Sequence, residues 1–279
     1  MVTVSTMARS SSSRDISFET DFGSARIRWD GPRATLFLDG VESSAVDTSD
    51  PTYLEFEYKQ HMSAVVAASR GEGDRFRALH VGGAACALAC AWSARYPQSR
   101  HVAVEVDGAL AAQVREHFPI PKAPQVKIRV GDGRAVLDAA REGSFDVIVS
   151  DAFASGVTPD HLRTVECADR ARRALTASGV YLVNCAHGGP ANARQDVASL
   201  QEVFPFVASI QDPKVGRGGR RGNVVALASA SDVVDVDQID RALRTLALPA
   251  RITRPVDLTR WVAGTAALTD AQVGYPQAD

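Results

Sequence analysis

Four short apolar runs in this chain each end in a glycine or an acid. Gly82-Gly83 follows ALHV, Glu105 with Asp107 follows HVAV, Asp132-Gly133 follows VKIRVG, and Asp151 follows DVIVS. Glycines at a strand-to-helix turn let the main chain approach a ligand closely. An acid at the tip of the next strand is placed to accept two ribose hydroxyl hydrogen bonds. Taken singly, each acid has a simpler role, because an Asp after a strand commonly caps the following helix. As four successive strand ends they outline one ligand site at the carboxyl edge of a sheet. No pyrophosphate-type GxGxxG is present, so a phosphate-free nucleoside such as S-adenosylmethionine fits better than NAD. In that reading Gly82 and Gly83 let the main chain touch the sugar or the methionine-derived tail, and Glu105 takes the ribose hydroxyls. Asp132 accepts from the adenine amino group while the Gly133 amide approaches a ring nitrogen. Asp151 faces the sulfonium end, where a carboxylate favours cation binding or takes a proton from an attacking amine.

The elements that must position these residues alternate between strand and helix. The pattern predicts strand, Gly82-Gly83, a helix from about Ala84 to Arg95, then a strand from His101 to Val104. Helices follow at 108–118, 134–141, 159–176 and 191–203, with strands at 126–130, 146–150 and 180–184 between them. Phe206 to Ile210 and Asn223 to Ser229 read as an antiparallel pair joined by the glycine- and arginine-rich loop PKVGRGGRRG. Five β-α alternations and a terminal hairpin describe an α/β fold, a class I methyltransferase-like (Rossmann-like) doubly wound sheet with one reversed strand. Ahead of it, three short strands between Ile16 and Leu38 form a small N-terminal antiparallel β-domain, too small to be stable unless it packs on the larger unit. Val41 to Tyr58 reads as polar and irregular, and Tyr58 to Arg70 as a helix. The expected division is a disordered leader over 1–14, with Met7 an alternative start, then a β-hairpin domain over 15–57. The nucleoside-binding domain covers 58–250, and 251–279 is a tail with loose last residues.

Composition narrows the function classes. With 279 residues, 45% hydrophobic and 23% charged, the chain can bury one large core. A formal charge of −2 gives no general attraction for nucleic acid, and no run approaches bilayer length. No nucleic-acid or membrane partner is therefore expected. Cys86, Cys90, Cys167 and Cys185 make no CxxC pair and read as reduced thiols, which favours a cytoplasmic location. The six histidines form no ligand-spaced pair and read mostly as surface or strand-edge residues, so no metal site is expected. His161 and His187 are the two nearest the ligand mouth. Trp92 reads as packing rather than stacking.

The order LFLDGVESS (Leu36 to Ser44), LEFEYKQHM (Leu54 to Met62), HVGG, VEVD, GDGRAVL and DVIVSDAF resembles the spermidine synthase family of aminopropyltransferases. The resemblance runs from about Leu36 to Ser229. It implies an N-terminal β-domain on a methyltransferase-like core, a decarboxylated S-adenosylmethionine donor, a small-molecule amine acceptor and a homodimer. It places Tyr58 at the substrate cleft, Glu105 as the ribose acid, Asp132 and Gly133 as adenine contacts, and Asp151 as the first Asp of the catalytic loop. Four departures bear on the chemistry. Ala84 or Ala85 stands where the family has an Asp for the aminopropyl ammonium, and Ala154 replaces the second catalytic Asp. Ser43 replaces a glutamine, and Lys59-Gln60 replaces His-Glu. The run DAFASGVTPDHLRTVE resembles a divergent spermidine synthase-like branch.

An attacking polyamine nitrogen has a pKa near ~10 and is protonated at neutral pH, so a carboxylate must take its proton. Asp151 is the residue in place for that. Lys59, by contrast, would repel a polyamine and suit a substrate bearing a carboxylate, including undecarboxylated S-adenosylmethionine. Three readings stay open: aminopropyl transfer, methyl transfer on the same core, and a non-catalytic nucleoside-binding protein.

Overall fold

The computed structural model describes residues 14–154, 156–215, 220–231 and 234–276. The expected leader lies almost wholly outside these residues. An antiparallel sheet comes first, in the order β1 (Arg14–Glu19), β2 (Ser24–Asp30), β3 (Arg33–Leu38), β4 (Val41–Asp47). Asp39 and Gly40 both have positive φ, 47° and 81°, the pairing a tight two-residue hairpin turn requires. β4 is the strand that the sequence reading took for irregular chain. It pairs with β3 across a register shift at Leu36/Phe37, and its buried positions are Ser44, Ala45 and Asp47.

The second sheet has eight strands in the order β12-β10-β11-β9-β8-β5-β6-β7. They are β5 (Arg77–Val81), β6 (Arg100–Glu105), β7 (Val126–Val130), β8 (Phe145–Ser150), β9 (Leu175–His187), β10 (Phe206–Gln211), β11 (Gly222–Ser229) and β12 (Arg251–Thr253). β5 to β9 pair in parallel. The chain runs outward from β5 through β6 to β7 and then resumes on the other side of β5 at β8. That reversal opens the crevice between neighbouring strand ends where ligands bind in such sheets. β11 is antiparallel to β9, as expected, and β12 pairs antiparallel with β10, adding a second reversed strand at the edge.

Helices cover both faces. α1 (Glu57–Ser69), α2 (Ala87–Arg95) and α7 (Val236–Arg244) pack one core around Met62, Trp92 and Leu243. α4 (Gly133–Asp138), α5 (Val165–Ala174), α6 (Ala193–Gln201) and α8 (Pro255–Val262) bury the other face. α3 (Gly108–His117) and α2 also pack against the small sheet, joining Ile27 and Leu36 to Cys86, Leu110 and Val114 in one cluster. The β-domain is thus stabilised by burial against the larger unit, as its size requires. Trp92 is fully buried, and its indole N–H donates to Ser63 Oγ at 3.1 Å.

Three boundaries shift from expectation for visible reasons. α2 begins at Ala87, not Ala84, because Ala84 and Cys86 adopt left-handed φ of 38° and 55°. The stretch 159–176 splits into a 3-10 turn, Asp160–Leu162, and α5, whose first turn is capped by the Thr164 side chain. α5 ends at Ala174, since Leu175 already belongs to β9. After β12 and α8, the last residues, expected to be loose, carry α9 (Asp270–Val273).

The last segment is held by a buried ion pair. Arg134 Nη1 and Nη2 donate to the two Asp270 carboxylate oxygens at 2.9 and 2.6 Å, and Thr164 Oγ1 donates to Asp270 at 2.6 Å. Burial works to raise the Asp270 pKa, but Arg134 and Thr164 outweigh it and hold the carboxyl below its ordinary value. Such a group adds stability above its unfolded pKa of ~4, and that stability is lost as pH falls through the depressed folded value. Asp270→Ala removes the bidentate partner of a buried guanidinium that keeps Asp138 at 3.0 Å, and is expected to cost about 1–3 kcal/mol, read as a lowered urea midpoint. The gap between variant and wild type should close as the pH is taken below ~4.

Candidate active site

The carboxyl ends of β5, β6 and β8 meet around Gly82. The Asp151 amide donates to Val81 O at 2.8 Å, and the Gly82 amide donates to Val104 O at 3.1 Å. Gly82 has φ +91°, and a Cβ there would overlap the Asp151 carbonyl, so no other residue fits. A Cβ on Gly83 would touch Glu105 Cβ at 3.4 Å, and one on Gly133 would overlap the Val81 side chain. Backbone approach therefore joins Gly82, Gly83, Glu105, Gly133 and Asp151 at one place.

The acids at these tips have protein partners. Glu105 accepts from the Ala84 amide at 2.9 Å and from the Asp107 amide at 3.2 Å. The Asp132 side chain caps α4 through the Ala135 amide at 2.9 Å, and its other oxygen accepts from His161 Nε2 at 3.0 Å. A carboxylate offers about four acceptor positions, so Glu105 and Asp132 each keep capacity for a ligand. The His161 ring stacks on Tyr275, with centroids 5.5 Å apart and planes 6° apart, and the Arg134 guanidinium lies 4.5 Å from the same Tyr275 ring. Tyr275 thus forms one wall beside Asp132.

Asp151 sits at the centre of the arrangement. Tyr58 OH donates to its Oδ2 at 2.9 Å, Asn184 Nδ2 donates to its Oδ1 at 2.9 Å, and Lys59 Nζ lies 3.9 Å from Oδ2. The Asp151 side chain is 14% exposed and that of Lys59 5%. Burial raises the Asp151 pKa, partly offset by Lys59, Asn184 and Tyr58. Burial lowers that of Lys59, partly offset by Asp151. The Tyr58 hydroxyl is pushed up, first by burial and then by the neighbouring carboxylate, and remains a donor. The result is an aspartate that holds a proton more readily than usual, fixed at both oxygens by donors from α1 and β9.

Tyr58 and Lys59 on α1, Gly82, Gly83, Glu105, Asp132, Gly133 and Asp151 all lie at this edge of the sheet. Two neighbours were missed. Asn184 lies inside β9, three residues before its end, and as neither a glycine nor an acid at a strand end it gave no signal in the sequence. Ser44, which accepts from Lys59 Nζ at 3.5 Å, comes from the strand that was not recognised. Of the two histidines considered near the mouth, His161 touches Asp132, whereas His187 packs against Trp261 at 5.3 Å.

His61, His80 and His101 are buried rather than superficial. His80 and His101 satisfy one another at 3.1 Å, and His101 reaches Ser99 Oγ at 2.7 Å. Burial lowers the pKa of both, that of His101 to about 4, and keeps them neutral core groups. No group of three or more potential metal ligands occurs among the described residues, in which all four cysteines are free. No helix among them is long and apolar enough to cross a membrane. A cavity of about 440 Å³ opens at the other edge of the sheet, among Arg77, Arg100 and Asp146 at the strand beginnings, away from these groups.

Comparison with solved structures returns the same architecture. The chain superposes on a probable spermidine synthase from Corynebacterium glutamicum with a TM-score of 0.83 and 32% identity, covering 91% of this chain and 95% of that one. A spermidine synthase from Thermotoga maritima follows with a TM-score of 0.59 and 16% identity over 94% and 87% of the two chains. Human methyltransferase-like protein 13, solved with SAH, gives 0.55 and 18% over 68% and 94%, a likeness of fold alone. Among curated sequences, the polyamine aminopropyltransferase of Vibrio vulnificus is 29% identical over 91 residues, 32% of this chain and 30% of that protein's length. No family model matches the chain.

Gly82→Ala forces an L-residue into φ +91° against the Asp151 carbonyl. It is expected to cost about 1–3 kcal/mol, read in urea unfolding experiments.

Proposed function

The chain belongs to the spermidine synthase family, and from that premise we propose that it is a transferase acting on an S-adenosylmethionine-type donor, moving its three-carbon group onto an amine. The observation that carries the reading is the meeting of Gly82, Glu105, Gly133 and Asp151 at one sheet edge, with Asp151 fixed by Tyr58 and Asn184. In this reading Glu105 holds the ribose hydroxyls, and Asp132 with the Gly133 amide receives the adenine. The glycine loop takes the sulfur-linked tail, and Tyr58 and Lys59 border the substrate. The acceptor nitrogen attacks the carbon next to the sulfonium. A C–N bond forms, the C–S bond breaks with its electrons passing to sulfur, and the proton shed by nitrogen goes to Asp151.

An aspartate whose pKa is raised by burial suits this work, because the closer its pKa lies to the working pH, the stronger a base it is. Ala154 leaves it without the second acid of the family's loop. The alternative reading is methyl transfer from the same donor, and Lys59 favours it, since a cation beside Asp151 discourages a polyamine. The resemblance suggests a homodimer, and the unpaired cysteines favour the cytoplasm as its setting.

The nucleoside product separates the readings. Methylthioadenosine, identified by mass spectrometry after incubation with donor and an amine panel, supports three-carbon transfer. S-adenosylhomocysteine supports methyl transfer, and neither product, with a donor that binds, means a binding protein. Asp151→Asn is expected to lower turnover by about 100-fold to 10,000-fold. In the wild type, kcat/KM should fall on the acid side with a midpoint above the ordinary carboxylate value of ~4.

A further inference from the structure

The charges beside the reacting position define the tail that the donor must carry, an inference that rests on the function proposed above. The Lys59 ammonium is buried and has three N–H donors to place. Its hydrogen bond to Ser44 Oγ is long at 3.5 Å, and Asp151 Oδ2, at 3.9 Å, stands beyond hydrogen-bond length. The rings of Phe56 and Tyr58 also lie near it, with centroids at 5.0 and 5.6 Å, and neither of these is an anion. A buried cation so poorly coordinated is costly unless an anion completes its shell. The neighbouring anion, Asp151, already accepts from Tyr58 and Asn184.

A positive and a negative group thus stand side by side at the tip of β8, next to the loop of Gly82. A tail bearing only an ammonium gains Asp151 but lies against Lys59. A tail bearing both an ammonium and a carboxylate matches both. We propose that the site recognises its sulfonium donor through a zwitterionic α-amino-acid tail, ammonium on Asp151 and carboxylate on Lys59, and so takes S-adenosylmethionine rather than the decarboxylated form. The group delivered by the step above is then a four-carbon 3-amino-3-carboxypropyl unit, the propyl chain with its carboxylate retained. Lys59 is the specificity-determining residue, and Ser44 of the β-domain positions it.

Calorimetry on the full chain tests this with three ligands: methylthioadenosine, which has no charged tail, S-adenosylmethionine, and its decarboxylated form. Wild type should bind S-adenosylmethionine at least about 10-fold more tightly than the decarboxylated form, the scale of one charge-assisted hydrogen bond. Lys59→Met should lose that preference while its affinity for methylthioadenosine stays within about threefold, which also shows that the variant is folded. Equal binding of the two donors by wild type, or preference for the decarboxylated one, alongside normal methylthioadenosine binding, overturns the inference and leaves the nucleoside site standing. Failure of all three ligands to bind removes the proposed function, and the inference with it. Should Lys59→Met not fold, the wild-type ratio decides alone.

Discussion

A lysine and an aspartate buried side by side impose the strictest demand on this structure. Removing two charges from water costs several kcal/mol per ion, and their attraction repays it only with close geometry and further hydrogen bonds. Here Asp151 receives such bonds from Tyr58 and Asn184, while Lys59 has only a long contact to Ser44. Three separate parts of the chain must be in register for this: the β-domain for Ser44, α1 for Tyr58 and Lys59, and the central strands for Asp151 and Asn184. The packing of the small sheet against α2 and α3 is therefore tied to the electrostatics of the cleft as well as to its own stability.

The glycine positions follow from the same crowding. Three neighbouring strands end within contact of one another, and each extra carbon there would meet main chain or a core valine. That close approach brings main chain and acids together at one edge. It also leaves Ala84 and Cys86 in left-handed conformations that residues with a Cβ adopt at some cost.

Much of this could be read from the sequence, for physical reasons. Most of β5 to β9 are runs rich in apolar residues near a glycine or acid, and β10 and β11 flank a glycine- and arginine-rich stretch of sequence, so the doubly wound sheet was legible. β4 was not. Its buried positions are Ser44, Ala45 and Asp47, which give no apolar alternation, and it is a strand because β3 offers it hydrogen bonds. β12 has only three residues and joins the sheet through β10. The residue types at the site were legible, but their pairing was not. That Lys59 would lie beside Asp151, and Tyr275 beside His161, depends on contacts across 92 and 114 positions of chain, which no local pattern records.

The stacking of Tyr275 on His161 has a practical meaning for anyone handling the protein. His161 also holds Asp132, so a purine bound at that acid, as proposed, would have to renegotiate a contact that Tyr275 leans on. Tyr275 is thereby a natural reporter for the proposed site: a fluorophore or isotopic label beside it would sense a ligand at Asp132, whereas a bulky group attached there would disturb the His161 contact.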